Sequence, residues 1–204
     1  MEIKRIISKI LDSNTFVISK GDKAIIIDAG AKLEDVKNEI NNKKVLGIFL
    51  THAHYDHVFY CLDYAKEFDC KIYANKNSPE YFLDSDKNYG EGFKIEDVLS
   101  FIFIEGENDI ELENFAVHYI CCGGHSKTDT LYLIENDLFV GDSLIGRSVG
   151  RMDLYGGNKF STLRTLEILK NLEYKTMHCG HGEDCDKQEQ DKVVKTWIRF
   201  LGDR

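Results

Sequence analysis

Thr51-His52-Ala53-His54-Tyr55-Asp56-His57 stands directly behind Val-Leu-Gly-Ile-Phe-Leu at residues 45–50. The apolar run has the length and composition of a strand covered on both faces. Four side chains able to ligate a metal then fall between positions 52 and 57. If the chain stays extended past the strand, His52 and His54 point the same way. Asp56 and His57 open the next helix, whose first turn can direct them back toward the same point. Imidazole and carboxylate donors in such an arrangement suit zinc, iron or manganese. Three of the seven histidines fall in this one turn, which argues against a polar loop that is histidine-rich by chance.

One cluster does not complete a site, and four other residues have matching settings. Asp28 follows the apolar stretch 24–27 and precedes Ala29-Gly30. His125 follows residues 115–120 through Cys121-Cys122-Gly123-Gly124. Asp142 comes after 138–140 and Gly141, and His181 is framed by Gly180 and Gly182 behind Thr176-Met177. Each sits just past an expected strand, beside a glycine that lets the backbone turn or approach closely. Loops leaving one edge of a sheet sandwich can meet, and this repeated placement predicts that these do.

The rest of the chain reads as an ordinary globular protein. Of 204 residues, 43% are hydrophobic and 30% charged, enough apolar mass for a full core. Net charge is −9 with no basic stripe, so nucleic acid is not an expected partner. No apolar run approaches a membrane span, and the first residues lack the apolar centre of a signal peptide. Six cysteines at irregular spacing read as reduced thiols, so a cytoplasmic location is expected. A lone proline, Pro79, gives no Pro-rich linker, and one domain over 1–204 is expected.

Residues 14–19 and 24–27 read as a hairpin around Lys20-Gly21-Asp22. Helical spacing at Leu33, Val36 and Ile40, and again at Val58, Cys61, Leu62 and Ala65, predicts two helices. Ser78-Pro79 reads as a helix start capped by the serine, and 84–90 as an exposed loop. Further strands are expected at 101–104, 115–120, 130–134, 138–140 and around Thr176-Met177. Helices are expected over 160–172 and around Val194, Trp197, Ile198 and Leu201. Strands and helices in both halves predict an α/β fold with two sheets covered by helices, a four-layer αββα sandwich.

With these residues in place, the sequence resembles the metallo-β-lactamase superfamily, and within it the short glyoxalase II-like hydrolases. Asp28, the turn 52–57, His125, Asp142 and His181 match the superfamily's five motifs in order and cover nearly the whole chain. Gly150-Arg151-Met152-Asp153-Leu154-Tyr155-Gly156-Gly157 resembles a Gly-Arg-x-Asp-x-x-Gly-Gly segment of the short branch. The resemblance implies that His52, His54 and His125 hold one metal, that Asp56, His57 and His181 hold a second, and that Asp142 bridges both. Asp28 is implied to position the site from behind its ligands. Two divalent ions, zinc by this likeness with iron or manganese as alternatives, would activate water against an ester or thioester, with Asp56 orienting the nucleophile or taking its proton. Cys122-Gly123-Gly124-His125-Ser126 departs from the branch's Thr-Pro-Gly-His-Thr. The chain after His181 has length for one helix rather than a glutathione-gripping domain, so glutathione specificity is not expected to transfer.

The expected partner is a small molecule. Arg147, Arg151 and Tyr55 are candidate substrate contacts, with Lys159 near the same loop after Asp142, and the polar, long loop 84–92 is a candidate part of the substrate wall. Structural pairing of Arg151 with Asp153 is an equal expectation. Cys121 and Cys122 read as buried structural thiols, and His118 and His178 as core or surface histidines. Two rival readings remain at this stage: a mononuclear iron persulfide dioxygenase-like enzyme, and a non-catalytic metal-binding protein.

Overall fold

A computed structural model describes residues 1–202. Its first half forms β1 (Glu2–Ile7), β2 (Asn14–Lys20), β3 (Lys23–Ile27), α1 (Leu33–Ile40), β4 (Lys44–Phe49), α2 (Tyr55–Val58), α3 (Cys61–Phe68), β5 (Lys71–Asn75), α4 (Ser78–Phe82), α5 (Ser85–Asn88) and β6 (Phe101–Ile104). The second half forms β7 (Glu107–Leu112), β8 (Phe115–Cys121), β9 (Thr130–Ile134), β10 (Asp137–Gly141), β11 (Leu144–Ile145), β12 (Ser148–Val149), α6 (Lys159–Asn171), β13 (Thr176–Cys179), β14 (Cys185–Asp186) and α7 (Lys187–Gly202). The strands make two six-stranded sheets, β1-β2-β3-β4-β5-β6 and β14-β13-β10-β9-β8-β7, with β11-β12 as a separate hairpin.

Period-two alternation explains the layering. Phe16 and Ile18 of β2 and Ile25 and Ile27 of β3 face Phe115, Val117, Tyr132 and Phe139 of the other sheet, so the two sheets pack face to face. The intervening residues Val17, Ala24 and Ile26 face outward, where Val36 and Ile40 of α1 and Tyr64 of α3 cover them. On the far side, Leu131, Leu138 and Met177 pack under Leu166 and Leu169 of α6 and Val194 of α7. Three apolar layers between four structural layers give the expected αββα sandwich. No helix among the described residues is long and apolar enough to cross a membrane.

Several local expectations are corrected. The serine of Ser78-Pro79 does not cap α4: Asn77 holds the cap position without a side-chain bond, and Ser78 lies inside the helix. Residues 84–90 are not simply an exposed loop, because Asp84 caps α5 by accepting from Asp86 N and Asn88 is fully buried. The helix read through Val58 and Ala65 is broken into α2 and α3. Strands β1, β5 and β7 and the short β11, β12 and β14 are not among those the sequence predicts.

The site's position follows from strand direction. β3 runs parallel to β4, and β10 parallel to β13. Two antiparallel steps, β8 to β9 and β9 to β10, bring β8 into the direction of β10. The C-terminal ends of these five strands supply Asp28, the turn 52–57, His125, Asp142 and His181.

Candidate metal centre

Asp28 leaves β3 in a left-handed conformation, φ 59°, which aspartate tolerates better than most residues. Its amide donates to Phe49 O at 2.9 Å, tying the exits of β3 and β4 together. One carboxylate oxygen accepts from Thr51 N at 2.7 Å; the other accepts from Thr51 Oγ1 at 2.7 Å and faces His57 Nδ1 at 2.8 Å. Thr51 Oγ1 in turn stands 3.1 Å from His52 Nδ1. Both rings are therefore held by Nδ1, and their Nε2 atoms are turned to the cavity.

His57 Nε2 meets one side chain of its own turn and two from the other sheet. His57 Nε2 is 3.3 Å from Asp56 Oδ2, 3.6 Å from Asp142 Oδ1 and 3.3 Å from His181 Nε2. His181 Nε2 lies 3.3 Å from Asp56 Oδ2 and 3.6 Å from Asp142 Oδ2. His125 Nε2 is 2.9 Å from His54 Nδ1 and 3.7 Å from Asp142 Oδ2. Asp142 is thus the member that touches both sides. Three overlapping groups result, each compact enough to hold one ion: His52, His54 and His125; His52, His57 and Asp142; Asp56, His57 and His181.

The donor set fits a cation. His52 Nε2, His54 Nε2 and Asp142 Oδ1 are buried without any hydrogen-bond partner, an arrangement that costs free energy unless something else meets them. Pairs of imidazole nitrogens at 2.9 and 3.3 Å direct like groups at each other, which a positive ion between them relieves. Burial pushes the His52 and His54 pKa values down, that of His54 to about 3, with neighbouring imidazoles adding to the shift. Both rings are therefore neutral and their lone pairs available. For Asp56, burial works to raise the pKa, but His57 and His181 outweigh it and hold the carboxylate ionised. Burial likewise opposes charge on His57 and His181, yet the facing carboxylates win and raise both pKa values.

Two glycines are required by space. Gly141 has φ 52°, and a Cβ there would run into the Thr51 side chain. A Cβ on Gly180 would enter the Asp142 carboxylate and sit 2.8 Å from His57 Cε1. Behind His125, the buried Asp129 carboxylate accepts from His125 N at 2.8 Å, Ser126 N at 3.0 Å and Ser126 Oγ at 2.6 Å. Sequence reading missed Asp129; its position four residues after a ligand-type histidine was the available signal. Asn14, also missed, supports the His181 turn by donating to Cys179 O and Gly182 O, both at 3.0 Å.

The cavity over these donors has a volume of about 310 Å³. Tyr55 and Arg151 line it, as do Tyr89 from the loop 84–92 and Leu154 from the Gly150–Gly157 segment, while Leu11 and Ile145 join them from segments that carried no signal. Tyr89 adopts a left-handed conformation, φ 62°, with its ring 5.2 Å from that of His54. Its hydroxyl accepts from Tyr155 N at 2.5 Å, which fixes it across the mouth. Arg151 is also paired with Asp153 through Nε at 3.0 Å and Nη2 at 2.8 Å. Arg147 stands in the β11–β12 turn and lines a different cavity, not the one over the metal-ligating groups. Lys159 starts α6 and does not line the site cavity. Cys121 and Cys122 are half-buried rather than fully buried; desolvation pushes the Cys122 thiol up to about 12, and Cys121 Sγ donates toward Ile104 O at 3.7 Å. His178 is a core residue and His118 lies on the surface between Glu107 and Asp109.

A two-sheet sandwich with histidine and aspartate donors gathered at its strand ends defines a class of metal-binding α/β proteins. The chain belongs to the metallo-beta-lactamase superfamily, whose sequence pattern matches residues 9–181. Among curated proteins it is similar to the probable metallo-hydrolase YqgX of Bacillus subtilis, 27% identical over 192 residues that span 89% of this chain and 91% of that one. Among solved structures it is similar to the BLEG-1 B3 metallo-beta-lactamase, with TM-score 0.85, 25% identity, and coverage of 94% of this chain and 97% of that one. It also shares its fold with TTHA1623 in a di-iron-bound form, at TM-score 0.79 and 24% identity over 93% of this chain and 98% of the other.

Proposed function

We propose that this chain is a metal-dependent hydrolase of an ester or thioester, in the manner of the short glyoxalase II-like branch. The observation that carries the reading is the pair of ligand groups joined through Asp142, with buried donor atoms that no protein group satisfies. Relatives named probable metallo-hydrolases in a bacterium and an archaeon support the hydrolytic class. His52, His54 and His125 would hold one ion and Asp56, His57 and His181 the other, with Asp142 between them. Two divalent ions held so would lower the pKa of a water toward neutrality and polarise the substrate carbonyl. Zinc suits the imidazole and carboxylate set, as do iron and manganese.

The chain's own groups supply the remaining functions. Asp28 and Thr51 lock the His57 and His52 rings, so the donor geometry exists before substrate arrives. Asp56 Oδ2 faces His57 and His181, and the carboxylate would orient the attacking water or accept its proton. Leu11, Ile145, Leu154 and the Tyr55 and Tyr89 rings give apolar walls that exclude bulk water and suit a compact acyl group. Among the described residues that line the cavity, every carboxylate and imidazole belongs to the ligand set, which suits a thiolate leaving group that needs little acid help.

Metal content and two assays on the purified chain test this together. The account expects two ions per chain and cleavage of a simple thioester without oxygen consumption. A single iron with persulfide-dependent oxygen uptake would replace the hydrolase reading with a dioxygenase one.

A further inference from the structure

Across the β11–β12 hairpin from the candidate metal centre lies a larger cavity, of about 690 Å³. The hairpin is a shared wall: Ile145 lines the metal-centre cavity, and the next two residues, Gly146 and Arg147, line this one. The opposite wall is the face of α7 that carries Gln190, Val193 and Trp197. That face grips the hairpin directly. Gln190 Nε2 donates to Gly146 O at 3.0 Å, and Trp197 Nε1 donates to Arg147 O at 3.1 Å. Gln190 is only 1% exposed, so its bond is shielded from water.

The charges at the rim are unevenly matched. Glu183 is paired with Arg5 at 2.6 Å, and Asp184 stands 3.9 Å from Arg5 and 3.1 Å from His178, an imidazole it shares with Asp137, so each acid already faces a basic group. Arg147, Lys192 and Glu189 also line the cavity, and among the described residues none of the three is in an ion pair. Two open cations therefore stand against one open carboxylate, in a chain whose net charge is −9. Beside them lie the Trp197 indole and Val193, an apolar surface for a flat body. Cations over an aromatic and aliphatic floor recognise an anionic head on a planar apolar frame.

We infer that this cavity binds a small organic anion, a carboxylate, sulfonate or phosphate head on a flat apolar body. Its occupant rests against the hairpin that also walls the metal-centre cavity. The inference stands apart from the hydrolase reading, since it concerns binding and needs no turnover.

Trp197 is the only tryptophan in the chain and lies in the cavity wall, so its emission reports occupancy. The probe is 1-anilinonaphthalene-8-sulfonate, titrated into the full chain with and without prior metal chelation. Its neutral counterpart is N-phenyl-1-naphthylamine, the same ring system without the sulfonate. Expected are saturable quenching at one probe per chain, independence from chelation, and weaker binding of the neutral compound. Arg147→Glu and Lys192→Glu should each weaken the sulfonate on the order of tenfold, and Glu189→Gln should tighten it. All three side chains are exposed, so the fold should survive each change. Equal binding of the neutral compound, or a Kd unmoved by the two charge reversals, overturns the inference.

Discussion

Asp142 is the residue whose environment constrains the account most, because its two oxygens stand 3.6–3.7 Å from imidazoles belonging to both ligand groups. Asp142→Ala should remove both activity and at least one equivalent of metal while the melting temperature stays within a few degrees of the metal-free parent. Full turnover in that variant would remove the bridging role. Gly180 tests the same geometry from behind, since its φ is unremarkable and only space forbids a side chain. Gly180→Ala should displace the Asp142 carboxylate and lower metal affinity roughly 10- to 100-fold, the scale of changes behind a ligand, read by competition with a chromophoric chelator. Asp129→Ala is expected to act on stability as well. It leaves His125 N and the Ser126 donors buried without an acceptor, at a cost on the order of 3 kcal/mol, visible as a lowered midpoint in urea.

At the scale of elements, β13 carries a charge contact of its own. His178 lies between Asp137 at 3.0 Å and Asp184 at 3.1 Å and stacks on Phe139 with ring centroids 4.6 Å apart. Burial opposes its charge, but the two carboxylates outweigh burial and raise its pKa. The folded protein therefore binds this proton more tightly than the unfolded chain does. The stabilisation is full below the unfolded value of about 6.5 and is lost as pH rises through the higher folded value. Wild type should thus exceed His178→Gln in thermal midpoint most at pH 6, with the gap narrowing toward pH 9. A constant gap would contradict the charge assignment. The elements also show what the sequence made legible. β2, β3 and β9 have one face against each neighbour layer, so their apolar patterns are strong. β7, Glu-Asn-Asp-Ile-Glu-Leu, is an edge strand with mostly exposed side chains and no apolar pattern to read. The donors His52, His54, Asp56, His57, His125, Asp142 and His181, and Asp28 behind them, stood out because each couples a ligand-type side chain to the segment after a strand end. The cavity wall was legible only in part: Tyr55, Arg151 and the loop that carries Tyr89 were candidates, whereas Leu11 and Ile145 are ordinary residues brought there only by folding.

For the whole molecule, metal loading and proton binding oppose each other. Without a cation, the carboxylates of the site keep protons on His57 and His181 above the ordinary imidazole range. A ligating imidazole must give that proton up, so metal affinity should rise with pH through and above 6.5. Chelator competition at pH 6 and pH 8 should show the tighter binding at pH 8; equal affinities would mean these two rings are not ligands. The net charge of −9 adds a general attraction for cations that salt would screen, so the comparison belongs at fixed ionic strength.

Anomalous diffraction from crystals of the metal-loaded chain tests the central claim most directly. Two peaks are predicted, roughly 3.5–4 Å apart, one among His52, His54 and His125 and one among Asp56, His57 and His181, with Asp142 reaching both. A fully loaded crystal with no peak there, or with ions only at surface carboxylates, would contradict it.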